Sequence, residues 1–300
     1  MSSDGLLKIA TWNFETFGFD QASRLFERLH LLPGVISAVP DVDILIMQEV
    51  WQGAVDGSRL LFEVEELLSP FTNWRGALRA FHSPPKQGDS CLGEVVVLRW
   101  PRIRPVRHYV NGAPDLFHDQ AGFLHVVVEG LKWSLKGPLK IKSLHWPYWS
   151  GDERLSQALK LTGHAAGLSL LAGDCNGLWP GEAEFEPDWE VRPPHKRHHK
   201  TLPPGMHPTG QRWLSDRRAL QVLAESEFVN AGALAKDFTP TVLGHIDDGQ
   251  GARIDHILYS PGLAAAVVPN RYRVHHEGAI NRAGDHALVE DTMDLDRLAA

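Results

Sequence analysis

The chain is 300 residues long, and its 43% hydrophobic and 22% charged residues are typical of a soluble globular protein. It contains no run of about 18 apolar residues, so no membrane-spanning helix is predicted, and its net charge of −7 argues against broad electrostatic attachment to nucleic acid or anionic membranes. Since the first residues lack a signal-peptide pattern and the two cysteines, Cys91 and Cys175, do not make a disulfide framework, the simplest expectation is a cytoplasmic protein. An exported protein without its leader would show the same features.

Short apolar or alternating runs, bounded by Gly, Pro or Asp, predict strands along most of the chain. In chain order they cover residues 7–12, 42–47, 93–98, 124–128, 139–144, 168–172, 253–258 and 287–290. Helical periodicity predicts helices over 21–38, 60–68, 153–166 and 215–226, although Pro33 is unfavourable for the last turn of the first. Because strands outnumber helices and alternate with them imperfectly, we predict a layered mixed α/β sandwich rather than a doubly wound parallel sheet.

One stretch, residues 180–212, is irregular and rich in proline, and we call it the insertion. A basic strip overlaps it: residues 191–218 carry seven Arg or Lys against one acidic residue, a net charge of +6. An acidic protein with one basic strip suggests a local anion site, while a solvated loop remains the alternative. Since loops of this length inside a compact domain are usually functional or disordered, we predict a single domain over residues 1–300 with the insertion beside its site.

Six of the apolar runs have a carboxylate, an amide or a histidine at or near one end. The polar residues are Asn13, Glu49, His145, Asp174 with Asn176, Asp255, and Asp285 with His286. A polar group at a strand end lies at the rim of a sheet, where side chains from several strands converge on a ligand. Oxygen ligands for a hard cation together with two imidazoles suit the hydrolysis of phosphate esters. Taken singly, each has a structural alternative, such as a solvated glutamate or a turn-capping asparagine.

Two pairs among these residues indicate specific chemistry. Asp174 and Asn176 are two positions apart, so both are expected to face one spot while Cys175 points away and packs as a core thiol. An imidazole becomes an effective base when a carboxylate fixes its tautomer and stabilises its cation, and Asp255 and His286 supply one group of each kind.

In this order the motifs resemble the endonuclease/exonuclease/phosphatase superfamily, which includes DNase I, AP endonucleases, inositol polyphosphate phosphatases and neutral sphingomyelinases. The matching segments are Thr11-Trp12-Asn13, Gln48-Glu49, His145, Gly173-Asp174-x-Asn176, Ile254-Asp255 and Asp285-His286, spread over residues 7–291. The resemblance implies a DNase I-like four-layered αββα sandwich with two mixed sheets flanked by helices. It also implies a phosphoesterase that depends on Mg²⁺ or Mn²⁺.

The resemblance further implies a role for each matched residue. It gives metal binding to Asn13, Glu49 and Asp285, and catalytic roles to His145, Asp174, Asn176, Asp255 and His286. In that scheme the aspartate of the fourth motif orients the attacking water, and the asparagine and the first histidine bind phosphate or leaving-group oxygens. In DNase-like relatives a carboxylate orients that histidine, a role that would fall here to Glu94.

The substrate is less clearly indicated. The basic strip and the tryptophans after His145 favour a nucleic-acid phosphodiester, and we expect Arg197, Lys200, Trp146 and Tyr148 to bind it. For Trp146 and Trp149, packing in the core or at the rim of the site is the alternative. A small phosphorylated metabolite or lipid head group is the alternative, favoured by the acidic body of the protein.

A noncatalytic scaffold with the same fold would lack some of the metal-binding or base residues, and none is missing. Zinc at the histidines of the insertion is disfavoured because Lys and Arg lie between them. The sequence leaves the oligomeric state and the number of metal ions open.

Overall fold

A computed structural model describes residues 5–20, 23, 26–51, 59–71, 77–83, 92–109, 122–129, 137–181, 183–203, 205–206, 213–242, 251–276 and 279–298. Cys91 lies outside the described residues, and so does Arg212, one of the arginines of the basic strip. Part of the predicted helix 21–38 lies outside them as well. In the part of the chain so described, no helix is long and apolar enough to cross a membrane.

The strands are β1 (Leu6–Asn13), β2 (Ile44–Trp51), β3 (Ala77–Ser83), β4 (Leu92–Trp100), β5 (Ile103–His108), β6 (Phe123–Val128), β7 (Leu139–His145), β8 (Ser169–Asp174), β9 (Thr201–Leu202), β10 (Leu214–Ser215), β11 (Val229–Asn230), β12 (Asp255–Tyr259), β13 (Arg273–His275) and β14 (Leu288–Asp294). The α-helices are α1 (Leu32–Ile36), α2 (Arg59–Leu68), α3 (Gly151–Leu161), α4 (Pro194–Arg197), α5 (Arg218–Glu225), α6 (Ala231–Ala235) and α7 (Ala279–Ala283). Short 3₁₀ helices cover Glu15–Gly18, Leu29–Leu31, Ser69–Phe71, Thr162–Ala166, Trp189–Val191, Pro261–Ala266 and Leu295–Leu298.

Twelve of the strands form two six-stranded sheets, with the orders β13-β14-β1-β2-β4-β3 and β11-β12-β8-β7-β6-β5. Each sheet is mixed, because β1 pairs parallel with β2 in the first and β7 pairs parallel with β8 in the second, while the other neighbours are antiparallel. The two short strands β9 and β10 pair with each other at the insertion.

Three hydrophobic clusters separate the layers. The inner faces of the two sheets pack against each other through residues such as Ile44 and Ile46 on β2 and Leu170 and Ala172 on β8. The outer face of the first sheet packs on α1, α2 and α7, and the outer face of the second packs on α3 and α5. The fold is therefore a four-layered αββα sandwich, and the predicted fold class is confirmed.

The main difference from the predicted elements is at residues 21–38. Among the described residues of this segment, a 3₁₀ turn begins at Leu29 and α1 begins at Leu32. Pro33 lies in the first turn of α1, where a proline is favoured because the amide it lacks would have no helical partner. The sequence pattern also did not predict β3 and β5, which occupy one end of each sheet.

Candidate active site

The alternation of side chains along the strands brings polar strand ends to the space between the sheets. On β8, Leu170 and Ala172 face the inter-sheet core and Leu171 faces the outer helices, so Asp174 falls on the inner face. The register then aligns three polar residues side by side, since His145 pairs with Asp174 across β7 and β8, and Asp174 pairs with Asp255 across β8 and β12.

Glu49 reaches the same space from the other sheet through an irregularity in its strand. On β2, Met47 faces the outer helices, so strict alternation would also turn Glu49 outward. The pairing of β2 with β4 shifts register between Met47 and Val50, and Glu49 takes a left-handed backbone conformation with φ of 59°. Such a bulge re-aims a side chain, and here it brings the Glu49 carboxylate to 3.4 Å from His145 Nε2 on the opposite sheet.

A single amide connects two of the carboxylates at this rim. Asn13 Nδ2 donates to Glu49 Oε1 at 3.1 Å and to Asp174 Oδ2 at 3.2 Å. The other Glu49 oxygen accepts from the backbone N–H of Thr16 at 2.9 Å. Burial raises the pKa of Glu49, but the hydrogen bond and charge of His145 and the donors Thr16 and Asn13 outweigh it and lower the value to about 2. Glu49 is therefore an anion at neutral pH.

Asp174 is held by its neighbour in the motif. Asn176 donates to it twice, from the backbone N–H to Oδ1 at 2.8 Å and from Nδ2 to Oδ2 at 2.9 Å. Asn176 Nδ2 also donates to the Trp146 carbonyl at 2.9 Å, and Lys200 Nζ donates to Asn176 Oδ1. Because both hydrogens of this amide are bound within the protein, Asn176 positions Asp174 in this conformation.

Gly173 explains why this motif begins with glycine. Its φ is +143°, and a Cβ there would collide with the Leu144 carbonyl of β7 and approach the Gln48 amide. The side chain of Gln48 bridges the sheets below the site by donating to Ser143 Oγ at 3.1 Å and to Thr11 Oγ1 at 3.2 Å. Only glycine allows β7, β8 and β2 to approach this closely.

Asp255 and His286 form the expected pair. Asp255 Oδ2 lies 2.8 Å from His286 Nδ1, and the other imidazole nitrogen lies 3.9 Å from Asp174 Oδ2. Burial lowers the pKa of His286, but the carboxylates of Asp255, Asp174 and Asp285 raise it to about 10. The 3.9 Å gap between His286 Nε2 and Asp174 leaves room for both groups to contact a third atom.

The donor set suits a hard divalent cation. Asp285 Oδ1 is buried and has no hydrogen-bond partner among the described residues. Burial raises the pKa of Asp285 to about 6 and the nearby carboxylates of Glu15 and Glu49 add to this, against the cationic His286. No three Asp, Glu, His or Cys side chains of the described residues are close enough to enclose a metal. Since Mg²⁺ binds through one or two carboxylates and keeps waters and phosphate oxygens, an incomplete set of this kind fits it.

The partner expected for His145 is corrected by the structure. Glu49 contacts His145 Nε2 at 3.4 Å, whereas Glu94 lies 3.8 Å from Lys142 Nζ and acts on His145 through its charge. Burial lowers the pKa of His145, but the hydrogen bond to Glu49 and the charge of Asp174 bring the net shift upward. Glu49 is the partner of His145 in place of Glu94 because the bulge in β2 turns Glu49 toward β7.

The four predicted substrate-binding residues have different positions. Lys200 contacts Asn176 at the site, and the Tyr148 side chain is 58% exposed beside it. The Trp146 side chain is only 2% exposed in the outer core, so stacking on a substrate is incompatible with its burial and only its carbonyl reaches the site. Arg197 has partners within the protein, because it lies 3.4 Å from Glu190 of the insertion and its guanidinium lies 4.8 Å from the ring centroid of Trp213, just after the insertion.

Arg154 was not identified from the sequence. This arginine of α3 is 1% exposed, donates to the carbonyls of Pro147 and Tyr148 at 2.9 and 3.3 Å, and reaches the His199 carbonyl at 3.0 Å. It therefore connects the segment after β7 to the insertion. The sequence feature that could have identified Arg154 is its position on the same face of α3 as the buried Ala158 and Leu161.

Cys175 packs in the core as predicted, and His256 next to Asp255 has a structural role as well. Cys175 is fully buried in the outer core, facing away from Asp174. His256 is also fully buried, with its ring nitrogens 3.0 Å from Asn230 Nδ2 and 3.0 Å from the Gly177 carbonyl. Burial and the nearby Arg253 lower the pKa of His256 to about 3, so its ring is neutral.

Comparisons with known proteins place the fold. Neither a protein-family model nor a curated protein matches the chain. Among solved structures, a Neisseria 3′ phosphatase, NExo, bound to a product DNA hairpin is 19% identical with a TM-score of 0.60, covering 96% of this chain and 99% of that one. An AP endonuclease from Archaeoglobus fulgidus is 17% identical with a TM-score of 0.61, over 96% and 99% of the two chains.

An endonuclease/exonuclease/phosphatase family protein from Bacteroides thetaiotaomicron is also similar. It is 13% identical with a TM-score of 0.60, and the match covers 96% of this chain and 97% of that one. Identities this low establish the fold alone. The chain has the DNase I-like fold of the endonuclease/exonuclease/phosphatase superfamily, as the resemblance of its motifs implied.

Proposed function

We propose that the protein is a divalent-metal-dependent phosphoesterase that hydrolyses nucleic-acid phosphodiesters by in-line attack of water. The observation that carries this proposal is the convergence of Glu49, Asp174 and the Asp255–His286 pair, from both sheets, within hydrogen-bond or near-contact distance. Carboxylates, amides and a buried imidazolium in one place match what phosphate ester hydrolysis requires.

Asp174 and His286 divide the reaction between them. Asp174 Oδ2 orients the attacking water and accepts its proton, a role that suits a carboxylate whose pKa burial raises, against the opposing effect of His286. His286, cationic because of Asp255, donates from Nε2 to a nonbridging phosphate oxygen and stabilises the charge that develops in the transition state. This assigns the imidazole a donor role in place of the base role that the sequence suggested.

Glu49 and Asp285 are the proposed ligands of the cation, with Asn13 beside them. When bound, Mg²⁺ or Mn²⁺ supplies charge stabilisation for the phosphate oxygens. Asn13 holds the carboxylates of Glu49 and Asp174 in place by donating to both. Lys200 of the insertion donates to Asn176 Oδ1 in the same region, and because burial lowers its pKa to about 7 it is protonated in part at neutral pH.

Nucleic acid is the proposed substrate because two features agree. The solved structures of similar fold include a 3′ phosphatase bound to a DNA hairpin and an AP endonuclease. Basic residues of the insertion, Lys200 among them, lie beside the site in a protein whose overall charge is −7. A small phosphorylated metabolite is the competing substrate.

The test is a hydrolysis panel of single-stranded and duplex DNA, RNA, sugar phosphates and inositol phosphates, run with Mg²⁺, Mn²⁺ or a chelator. We expect metal-dependent cleavage of nucleic acid, with an affinity that weakens steeply as salt rises. His286→Ala should lower kcat by about 10²-fold or more. The matched control is His275→Ala, because His275 forms the same kind of pair with Glu290, at 2.9 Å, on β13 and β14. Equal effects of the two substitutions would contradict the assignment.

A further inference from the structure

A pocket of about 460 Å³ opens beside the site, between the segment after β8 and the insertion. Its lining includes Asn176 and Lys200, which already contact each other at the site, so the pocket is continuous with the place where the phosphate is proposed to bind. The volume falls within the range of about 300–1,000 Å³ typical of pockets for small organic ligands. The pocket can therefore hold one substituent of the phosphate.

One side of the pocket is apolar. Leu178, Val242 and Ile254 form a small buried cluster with Ala252 packed against it, and all four line the pocket. An inositol ring, which carries an oxygen on every carbon, would leave hydroxyl groups without partners against such a wall, and each one costs free energy. The wall instead suits a ligand with a flat or apolar body.

An aromatic ring is held rigidly at the same pocket. Trp189 Nε1 donates to Glu186 Oε1 at 3.0 Å and to Ser215 Oγ at 2.9 Å, which fixes the orientation of the indole. The exposed ring of Tyr148 also lines the pocket. Rigid aromatic rings bind bases by stacking, at little cost in side-chain entropy.

The rest of the lining is polar and includes three basic residues, Arg192, Lys196 and Lys200. The Asp216 carboxylate also lines the pocket and accepts from the Arg218 guanidinium at 2.8 Å. Cations spread around the wall do not suit an acyl chain, which would require an apolar lining throughout. They do suit a group that carries a phosphate. The combination of an anchored indole, an apolar wall and surrounding cations matches a nucleoside attached to a phosphate.

We propose that this pocket binds a single unpaired nucleoside of the substrate, with the attached phosphate reaching Lys200. The assignment rests on the proposed function and specifies its substrate class. The nucleoside is supplied either by an unpaired nucleotide of a strand or by a free nucleotide. A base within an intact duplex would first have to leave the stack to enter the pocket.

The experiment compares two esters with the same leaving group, thymidine 5′-(p-nitrophenyl phosphate) and methyl p-nitrophenyl phosphate. We expect wild-type protein to prefer the nucleoside ester, and Trp189→Leu to reduce the ratio of the two kcat/KM values by about ten-fold or more. Trp213→Leu is the matched control, since Trp213 belongs to the same region and does not line the pocket. Ala252→Phe fills the pocket without removing a hydrogen bond of the Trp189 side chain, and should reduce the ratio as well.

A second readout does not depend on catalysis. Thymidine 5′-monophosphate is titrated calorimetrically into each variant in the presence of a chelator, and Trp189→Leu and Ala252→Phe should each weaken binding by about ten-fold or more. Wild-type binding and an unchanged ester ratio in both variants would overturn the pocket assignment. Nucleotide binding without hydrolysis of either ester would overturn the proposed function and leave the pocket assignment standing.

Two further substrates identify the source of the nucleoside. Preferred cleavage of a single-stranded oligonucleotide indicates an unpaired nucleotide of a strand, and preferred cleavage of the mononucleotide ester indicates a free nucleotide. Either result supports the pocket assignment. Cleavage confined to fully paired duplex, with both single-stranded and mononucleotide substrates left intact, would contradict it.

Discussion

Asp255→Asn tests which protonation state of His286 acts in the reaction. The asparagine keeps the size of the side chain and can still accept a hydrogen bond from Nδ1, but it removes the charge that lies 2.8 Å away. Burial lowers the pKa of His286, and Asp255 is first among the groups that raise it to about 10. Without that charge, burial dominates and the imidazole becomes neutral within the working pH range.

The size of the effect follows from the shift. The difference between an unperturbed histidine pKa of about 6.5 and the value of about 10 corresponds to about 5 kcal/mol in favour of the imidazolium. Asp174 and Asp285 contribute to this sum, so Asp255 accounts for a part of it. Loss of the cation as the donor to phosphate should lower kcat by about 10²-fold near pH 8. Near pH 6 the loss should be smaller, because part of the imidazole is protonated again.

The assay is kcat for a phosphodiester measured between about pH 6 and 9 in wild type and Asp255→Asn. The variant should gain a descending limb at neutral to alkaline pH that wild type lacks. Asp291→Asn is the control, since Asp291 is equally buried but accepts from Tyr259 at 2.7 Å. If Asp255→Asn were as active as wild type near pH 8, a neutral imidazole would suffice and the donor role of His286 would be refuted.

Stability gives the same pair a second signature. Because the pKa of His286 is raised on folding, its stabilising contribution is complete below its unfolded value of about 6.5 and is lost as pH rises through about 10. The free energy of unfolding of wild type should therefore decline over this window. In Asp255→Asn the decline should be smaller, and an equal decline in both proteins would contradict the ion pair.

Three further predictions concern single residues. Lys200→Met should lower kcat/KM for a phosphodiester without lowering the midpoint of thermal unfolding, because burial already disfavours this cation and lowers its pKa to about 7. A lower midpoint with unchanged kcat/KM would contradict the proposed contribution of Lys200 to the site beside Asn176. Glu184→Gln should lower the free energy of unfolding, measured by chemical denaturation, by about 3–5 kcal/mol, because it leaves the buried Arg253 without its ion-pair partner. A loss below about 1 kcal/mol would mean that water reaches the pair. Gly173→Ala should lower the thermal midpoint, because the added methyl group collides with the backbone of β7, and an unchanged midpoint would contradict that close contact.

Much of the site could be predicted because strands have a fixed side-chain period. Once Leu170 and Ala172 are assigned to the core, Asp174 must face the space between the sheets, and the same parity applies to His145 and Asp255. Strand alternation does not say which of these side chains contact each other, and the order of the motifs predicted the pairing of Asp255 with His286. The fold class followed from the same strands together with the resemblance.

The rest depended on contacts that a sequence pattern does not specify. Glu49 reaches the site only because β2 has a bulge and Glu49 itself takes a left-handed backbone conformation. Strand alternation therefore did not predict its contact with His145, and Glu94 was expected to be the partner of His145 instead. The insertion lacks periodicity, and its position is set by long-range contacts such as those of Arg154 with the His199 carbonyl. The pocket that these contacts form was therefore not predicted.

The most direct test of the account is the rate of phosphodiester hydrolysis across a Mg²⁺ titration, in wild type and in Glu49→Gln. Glu49 is an anion with a pKa of about 2 whose two oxygens accept from Asn13 and Thr16, so its amide variant keeps the size of the side chain and one acceptor and loses the charge that attracts the cation. We predict no hydrolysis in chelator, saturation with Mg²⁺ in wild type, and a half-saturating Mg²⁺ concentration at least about ten-fold higher in the variant. Hydrolysis that persists in chelator, or an unchanged Mg²⁺ dependence in Glu49→Gln, would contradict a metal-dependent site at this rim.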